Sequence, residues 1–192
     1  MIIFARVRMS VSSPIIAGSS RYDTPTIALH WMTALLVAFQ FALGETWNLP
    51  TRPVHHLMVV AHLTAGICLT VIMMLRVGWR LTKGRCLSKL LSPLDRMWAL
   101  GMDYTLYILL LAEIVLGYLW RWGSGQAMSF FNLSLPSPLM RFQTKTLEWI
   151  QSLHHWNAWL IVGLAIGHGG AALFHQFILK DRVLERMLYR KP

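Results

Sequence analysis

Apolar residues run along this chain in four long stretches that charges scarcely interrupt. Between Asp23 and Glu45 lie 21 uncharged residues, between Arg52 and Arg76 lie 23, and between Glu148 and Lys180 lie 31. The remaining stretch, the 17 residues between Asp103 and Arg121, is broken only by Glu113. A helix rising about 1.5 Å per residue needs roughly 20 apolar residues to cross a bilayer, so each stretch suffices once the shortest recruits its flanks. The pattern predicts four transmembrane helices, near residues 25–45, 55–77, 98–120 and 153–178. The expected fold class is an all-α membrane protein, a four-transmembrane-helix bundle running up-down-up-down. Residues 21–192 form its single domain, preceded by an N-terminal extension over residues 1–20. That extension holds Arg6 and Arg8 and then an uncharged run, Met9 to Ser20, with five serines. Such a run lacks the apolar segment of a cleavable signal peptide. Met1 and Met9 both stay open as the start.

Composition agrees with the pattern. Hydrophobic residues make up 55% of the chain and charged residues 14%, against about 25% charged in an ordinary soluble domain. Intrinsic disorder is excluded by the same numbers. The net charge of +10 is a matter of topology. Lys and Arg on the tails and on the connection between spans two and three are Arg6, Arg8, Arg21, Arg76, Arg80, Lys83, Arg85, Lys89, Arg96, Lys180, Arg182, Arg186, Arg190 and Lys191, which is 14. The other two connections hold Arg52, Arg121, Arg141 and Lys145, which is 4. Basic residues gather on the cytoplasmic side, so both termini are expected there, in an inner (cytoplasmic) membrane. Because these residues flank apolar spans and form no single patch, nucleic acid is not an expected partner; the lipid bilayer is. Cys68 falls in span two and Cys86 in the cytoplasmic connection, where no disulfide is expected. There is no Cys-x-x-Cys-His, which excludes covalently attached c-type haem. Tryptophans near the span ends, among them Trp31, Trp47, Trp79 and Trp120, form an aromatic belt.

The candidate chemistry lies in the histidines. His30, His62, His168, and either His154 or His155 fall in or at the edge of spans, where an imidazole needs a partner. His154 and His168 are 14 residues apart, which on a helix is about 21 Å along the axis and only about 40° around it. One face of span four thus carries an imidazole near each membrane surface. Span one runs outward and places His30 at the inner level; span two runs inward and places His62 at the outer level. His30 then faces His168, and His62 faces His154. Two facing pairs at two depths suit bis-histidine ligation of two b-type haems per chain, whose iron takes neutral imidazoles and whose ring needs apolar walls. Zinc would need four ligands close together instead. Gly44, Gly66 and Gly167 offer small neighbours for a flat ring, a service that close helix packing also claims. Arg76, 14 residues after His62, and Arg80, a turn further, stand where the inner haem's propionates would emerge, and also act as positive-inside anchors.

Several strings then carry a resemblance. Leu29-His30-Trp31, Ala61-His62-Leu63-Thr64-Ala65-Gly66 with Leu75-Arg76-Val77-Gly78-Trp79-Arg80, and His154 and His168 followed by Ala171-Ala172-Leu173-Phe174-His175 together resemble the bacterial cytochrome b561 family from about Tyr22 to Leu188. The resemblance implies a four-helix, di-haem membrane cytochrome that exchanges electrons with the quinone pool. Some such proteins oxidise superoxide to dioxygen on the outer side while reducing ubiquinone. On that footing the chain is expected to be a superoxide:ubiquinone oxidoreductase. The alternative is the haem-b membrane anchor of a dehydrogenase or hydrogenase, served by a peripheral redox protein; a metal-ion carrier using the outer histidines is a poorer third. His175, two turns past His168, is open as a quinone-site residue or as an ordinary interfacial histidine. Glu113 departs from the apolar third span that the resemblance implies, and is open as a proton relay or as an acid bonded to a neighbouring helix. His55 and His56 are expected in a solvated loop. The connection from Arg121 to Gln151 is expected to lie over the outer site as a partly apolar lid, with Arg52, Arg121, Arg141 and Lys145 making a cationic mouth that draws a small anion such as superoxide.

Overall fold

The computed structural model describes residues 22–49, 51–82, 93–131, 133–180 and 184–188. The expected extension over residues 1–20, with the choice between Met1 and Met9, lies outside the described residues. So do Arg21, Lys83, Arg85, Cys86, Lys89, Arg182, Arg190 and Lys191. Four long helices carry the fold: α1 (Thr24–Thr46), α2 (Arg52–Thr82), α3 (Pro93–Gly123) and α4 (Thr144–Phe174). A π-helical turn, His175–Leu179, prolongs α4, and a 3-10 turn follows at Leu184–Met187. Each of the four is long and apolar enough to cross a membrane.

The helices outrun the spans expected of them, most clearly α4, which starts at Thr144 where the apolar pattern begins only near 153. Hydropathy marks the part of a helix that lies in lipid, whereas the helix itself runs until a cap or a turn residue stops it. The start of α1 shows such a cap. Asp23 accepts hydrogen bonds from the backbone N–H of Thr26 at 3.3 Å and from its hydroxyl at 2.8 Å, and Pro25 occupies the first turn, where its missing N–H costs nothing. The end of α3 shows a stop. A Cβ at Gly123 would strike the Phe142 ring, and Gly125 follows at a φ of +77°, a conformation open to glycine. His55 and His56 lie in the first turn of α2 and not in a loop as expected, because α2 already begins at Arg52.

In packing, α1 lies chiefly on α2 and α3 chiefly on α4, with far less contact between the two hairpins. A small core at mid-depth joins them: Leu69 and Met73 of α2, Leu110 of α3 and Ile161 of α4 are buried, with Leu36, Val37 and Ile114 packed around them. Elsewhere large apolar side chains face outward, as Leu35, Ile108 and Ile166 do. That is the arrangement lipid favours, since hydrocarbon gives apolar side chains no reason to hide.

Tyr22, just before α1, and Arg186 and Met187, beyond α4, meet at one end of the bundle. The N–H of Tyr22 donates to the carbonyl of Arg186 at 3.3 Å, and the indole N–H of Trp31 to that of Met187 at 2.8 Å. At the opposite end, between α3 and α4, a short antiparallel hairpin forms from β1 (Met128–Phe130) and β2 (Leu133–Leu135), with Met128 opposite Leu135. It rests on α2 through Thr64, whose Oγ1 accepts from the N–H of Phe131 at 3.1 Å. Met128 is buried beneath it while Phe131 and Leu133 stay exposed.

Candidate functional site

The histidines expected to face one another do so. At the level of Tyr22 and Met187, the rings of His30 on α1 and His168 on α4 have their centres 6.4 Å apart. At the hairpin level, the rings of His62 on α2 and His154 on α4 are also 6.4 Å apart. Ile161, midway between His154 and His168, belongs to the core, so packed side chains separate the two pairs. His155 turns elsewhere: it is half exposed, and its Nδ1 lies 3.6 Å from Oε1 of Glu45. Of the two neighbouring histidines, His154 is the one whose ring faces His62.

Two imidazoles holding one metal from opposite sides, each through a bond of about 2 Å, have ring centres about 6 Å apart. Both pairs have the spacing that iron in a flat macrocycle requires. Among the described residues no group of three or more His, Cys, Asp or Glu is placed to hold one metal ion between them, so the donor set of a bare zinc site is not found there.

The His62–His154 pair, the outer one in the expected topology, is walled by aromatic rings and glycine. Trp47 stands 5.1 Å from His62 and Trp120 stands 6.0 Å from His154, centre to centre. A Cβ on Gly44 would sit 3.9 Å from Cε1 of His62, an ordinary contact, whereas one on Gly117 would come within 3.3 Å of Cε1 of His154. Gly66 has a neighbour on α1. Its missing side chain lets α1 approach α2, since a Cβ there would meet Nε2 of Gln40 at 3.0 Å. A Cβ on Gly167 would meet nothing within 4 Å.

Glu113 faces the outer pair from α3. Its Oε2 accepts from the amide of Asn157 at 2.7 Å, and that amide also donates to the carbonyl of Leu109 at 3.0 Å. Its Oε1 lies 3.1 Å from Nδ1 of His154, near enough for an ion pair though out of line for a hydrogen bond. Of the two openings left for Glu113, the bond to a neighbouring helix is thus present.

The His30–His168 pair, the inner one in the expected topology, meets a cation instead. Nη2 of Arg76 is 3.2 Å from Nδ1 of His30, and its guanidinium lies 4.8 Å over the ring of Tyr107. Arginine only donates, so in this contact Nδ1 is the acceptor and the proton sits on Nε2. Coordination through Nε2 needs the opposite tautomer, with Arg76 turned aside. Arg80 is held across the bundle by Asp103 of α3 at 2.6 Å. His175 opens the π-helical turn with its ring 6.4 Å from that of Phe174.

Around the hairpin, Arg121 is occupied locally. Its Nε donates to the carbonyl of Ala127 at 2.8 Å and its Nη1 to the side chain of Gln126. That leaves Arg52, Arg141 and Lys145 as the exposed members of the expected cationic mouth. His55, beside them, bonds the carbonyl of Trp47 through Nδ1 at 2.7 Å.

Sequence reasoning missed Gly117, Asn157 and the partnership of Arg80 with Asp103. A signal existed for two of them. Gly117 is four residues after Glu113 and Asn157 three after His154, so each shares a helical face with a residue already singled out.

Comparison with known proteins adds to this geometry. The profile of the family described as prokaryotic cytochrome b561 matches residues 21–190. Cytochrome b561 homolog 2 of Escherichia coli (strain K12) is 34% identical over 175 residues, covering 88% of this chain and 91% of that protein. Cytochrome b561 homolog 1 of the same organism is 32% identical over 180 residues, covering 90% and 99%. The probable superoxide oxidase CybB of Yersinia pestis is 27% identical over 177 residues, covering 89% and 97%.

Proposed function

The chain belongs to the prokaryotic cytochrome b561 family of haem b electron-transfer membrane proteins, and from that premise we propose that it binds two haem b groups and moves single electrons from superoxide to ubiquinone across the inner membrane. The observation that carries this reading is the pair of facing histidine couples, each with ring centres 6.4 Å apart and each drawing one residue from α4. His30 and His168 hold the inner haem; His62 and His154 hold the outer one. When bound, haem supplies a one-electron couple at its iron, with no covalent bond to the substrate.

The rest falls to the chain's own residues. Trp47, Trp120, Gly44 and Gly117 shape the outer pocket. Met73 and Ile161 keep water out of the space between the two levels. Arg76, on leaving His30, places its guanidinium for the inner haem's carboxylates, and Arg80 is fixed a turn away by Asp103. Two superoxide ions each lose one electron to give dioxygen, and one ubiquinone takes up both electrons with two protons. His175, two turns past His168, is the residue that meets the quinone and passes it a proton. Support for superoxide comes from the relative named a probable superoxide oxidase and from exposed Arg52, Arg141 and Lys145 at the hairpin end. The cytoplasmic placement of both termini rests on the 14 to 4 division of basic residues.

Haem content tests the ligand assignment. The purified protein should carry two haems per chain, and both His30→Ala and His62→Ala should carry one, each losing a different spectral component. Two haems retained after either substitution would refute it.

A second reading, the membrane anchor of a dehydrogenase or hydrogenase, is favoured by one feature. Phe131, Leu133 and Met140 are exposed at the hairpin end, Met140 at 88%, as a docking surface for a peripheral redox protein would be.

A further inference from the structure

Glu113 is the one carboxylate that faces a histidine of either pair among the described residues, since the other ion pairs found join Arg80 to Asp103 and His155 to Glu45. An acid in a span is costly unless its oxygens are matched by donors. Here both are. Oε2 takes the amide of Asn157 at 2.7 Å, and Oε1 lies 3.1 Å from a buried ring nitrogen, Nδ1 of His154, that has no aligned hydrogen bond of its own. Asn157 stands one turn after His154 on α4 and is itself pinned to α3 through the carbonyl of Leu109 at 3.0 Å. Carboxylate, amide and imidazole therefore form one connected unit across the α3–α4 contact.

Building on the haem assignment above, we propose that Glu113 is the positioning residue of the outer pair: held by Asn157, it accepts the Nδ1–H of His154, aims Nε2 at the iron and makes the outer haem the harder of the two to reduce. A carboxylate behind a ligating imidazole fixes its tautomer and raises its basicity, which favours the oxidised iron. The inner pair is built the other way. No carboxylate faces His30 or His168 among the described residues, and Arg76, once it leaves Nδ1 of His30 for the haem's carboxylates, still keeps a cation at that level, which favours the reduced iron. In surroundings of low dielectric neither charge is well screened, so the two sites are driven apart. An electron entering at the hairpin end then passes to the site that holds it more tightly.

The test is an optical redox titration of the purified, haem-loaded protein, with the outer component identified as the one missing from His62→Ala. Wild type should show two resolved midpoints, the outer one lower. In Glu113→Gln the outer midpoint should rise by at least a tenfold change in its reduction equilibrium, about 59 mV for one electron, with the inner one unmoved. The electron spin resonance signal of the oxidised outer haem should change with it. Asn157→Leu, which loosens Glu113 without removing it, should shift the same midpoint the same way by less. Two haems present with both midpoints unmoved, or both moved equally, would overturn the proposal. Should Glu113→Gln lose the outer haem outright, Asn157→Leu decides, and an unshifted outer midpoint there overturns it. A wild type with fewer than two haems would instead bring down the assignment on which this rests.

Discussion

At the scale of single residues, Gly117 is the glycine set closest against a histidine of either pair. An added Cβ would sit 3.3 Å from Cε1 of His154, so the imidazole must yield by a few tenths of an ångström for alanine and cannot clear a longer branch. Gly117→Ala is expected to keep both haems, and Gly117→Leu to lose the outer one while keeping the inner, halving the haem-to-protein ratio measured by absorbance. The contrast with the histidines shows what a chain reveals before it folds. His30, His62, His154 and His168 are legible because helical periodicity converts their spacing directly into depth and direction, and the neighbouring His155 is rejected by the same arithmetic. Gly117 is illegible because a glycine's purpose depends on what lies across the interface from it. Gly66 shows the same lesson in reverse, since its neighbour is Gln40 on α1 and neither histidine of the outer pair.

Among the elements, α1 and α2 are fastened at the chain-end side by Asp23, which caps α1 and also accepts from the indole N–H of Trp79 at 2.6 Å. Burial alone would raise the Asp23 carboxyl, but its bonds to Thr26 and Trp79 outweigh that and hold it below the ordinary 3.8. A folded value lower than the unfolded one means that the stabilisation is complete above 3.8 and fades as the pH falls through the folded value. Asp23→Ala should therefore lower the melting temperature at neutral pH, by an amount matching a lost cap of about 1 kcal/mol. The gap from wild type should close as the pH is taken below 3.8. Melting curves of the two proteins in the same detergent across that range check it. The existence and order of all four helices were legible from charge-free runs, because lipid demands a length. Their ends were not, since Lys145 and Glu148 charge the first turns of α4 and hide them from a search for uncharged runs. The hairpin at Met128–Leu135 was likewise hidden: its two strands have three residues each, too few to show an alternation.

For the whole molecule, the open question of enzyme or anchor becomes one of electrostatics. If superoxide is the donor, the isolated chain should be reduced by it quickly and without a second protein, drawn by Arg52, Arg141 and Lys145. The rate should fall as screening shortens from about 8 Å at physiological ionic strength to about 3 Å at 1 M. Stopped-flow mixing of the oxidised protein with superoxide at low and high salt, then with ubiquinone, measures this; a slow reaction indifferent to salt would favour the anchor. Each histidine couple takes one member from α1 or α2 and the other from α4. A ribosome making this chain therefore releases three helices before either couple can be completed. On the proposed assignment cofactor insertion waits for the last helix to enter the membrane, and a chain cut short before Thr144 is expected to carry neither haem.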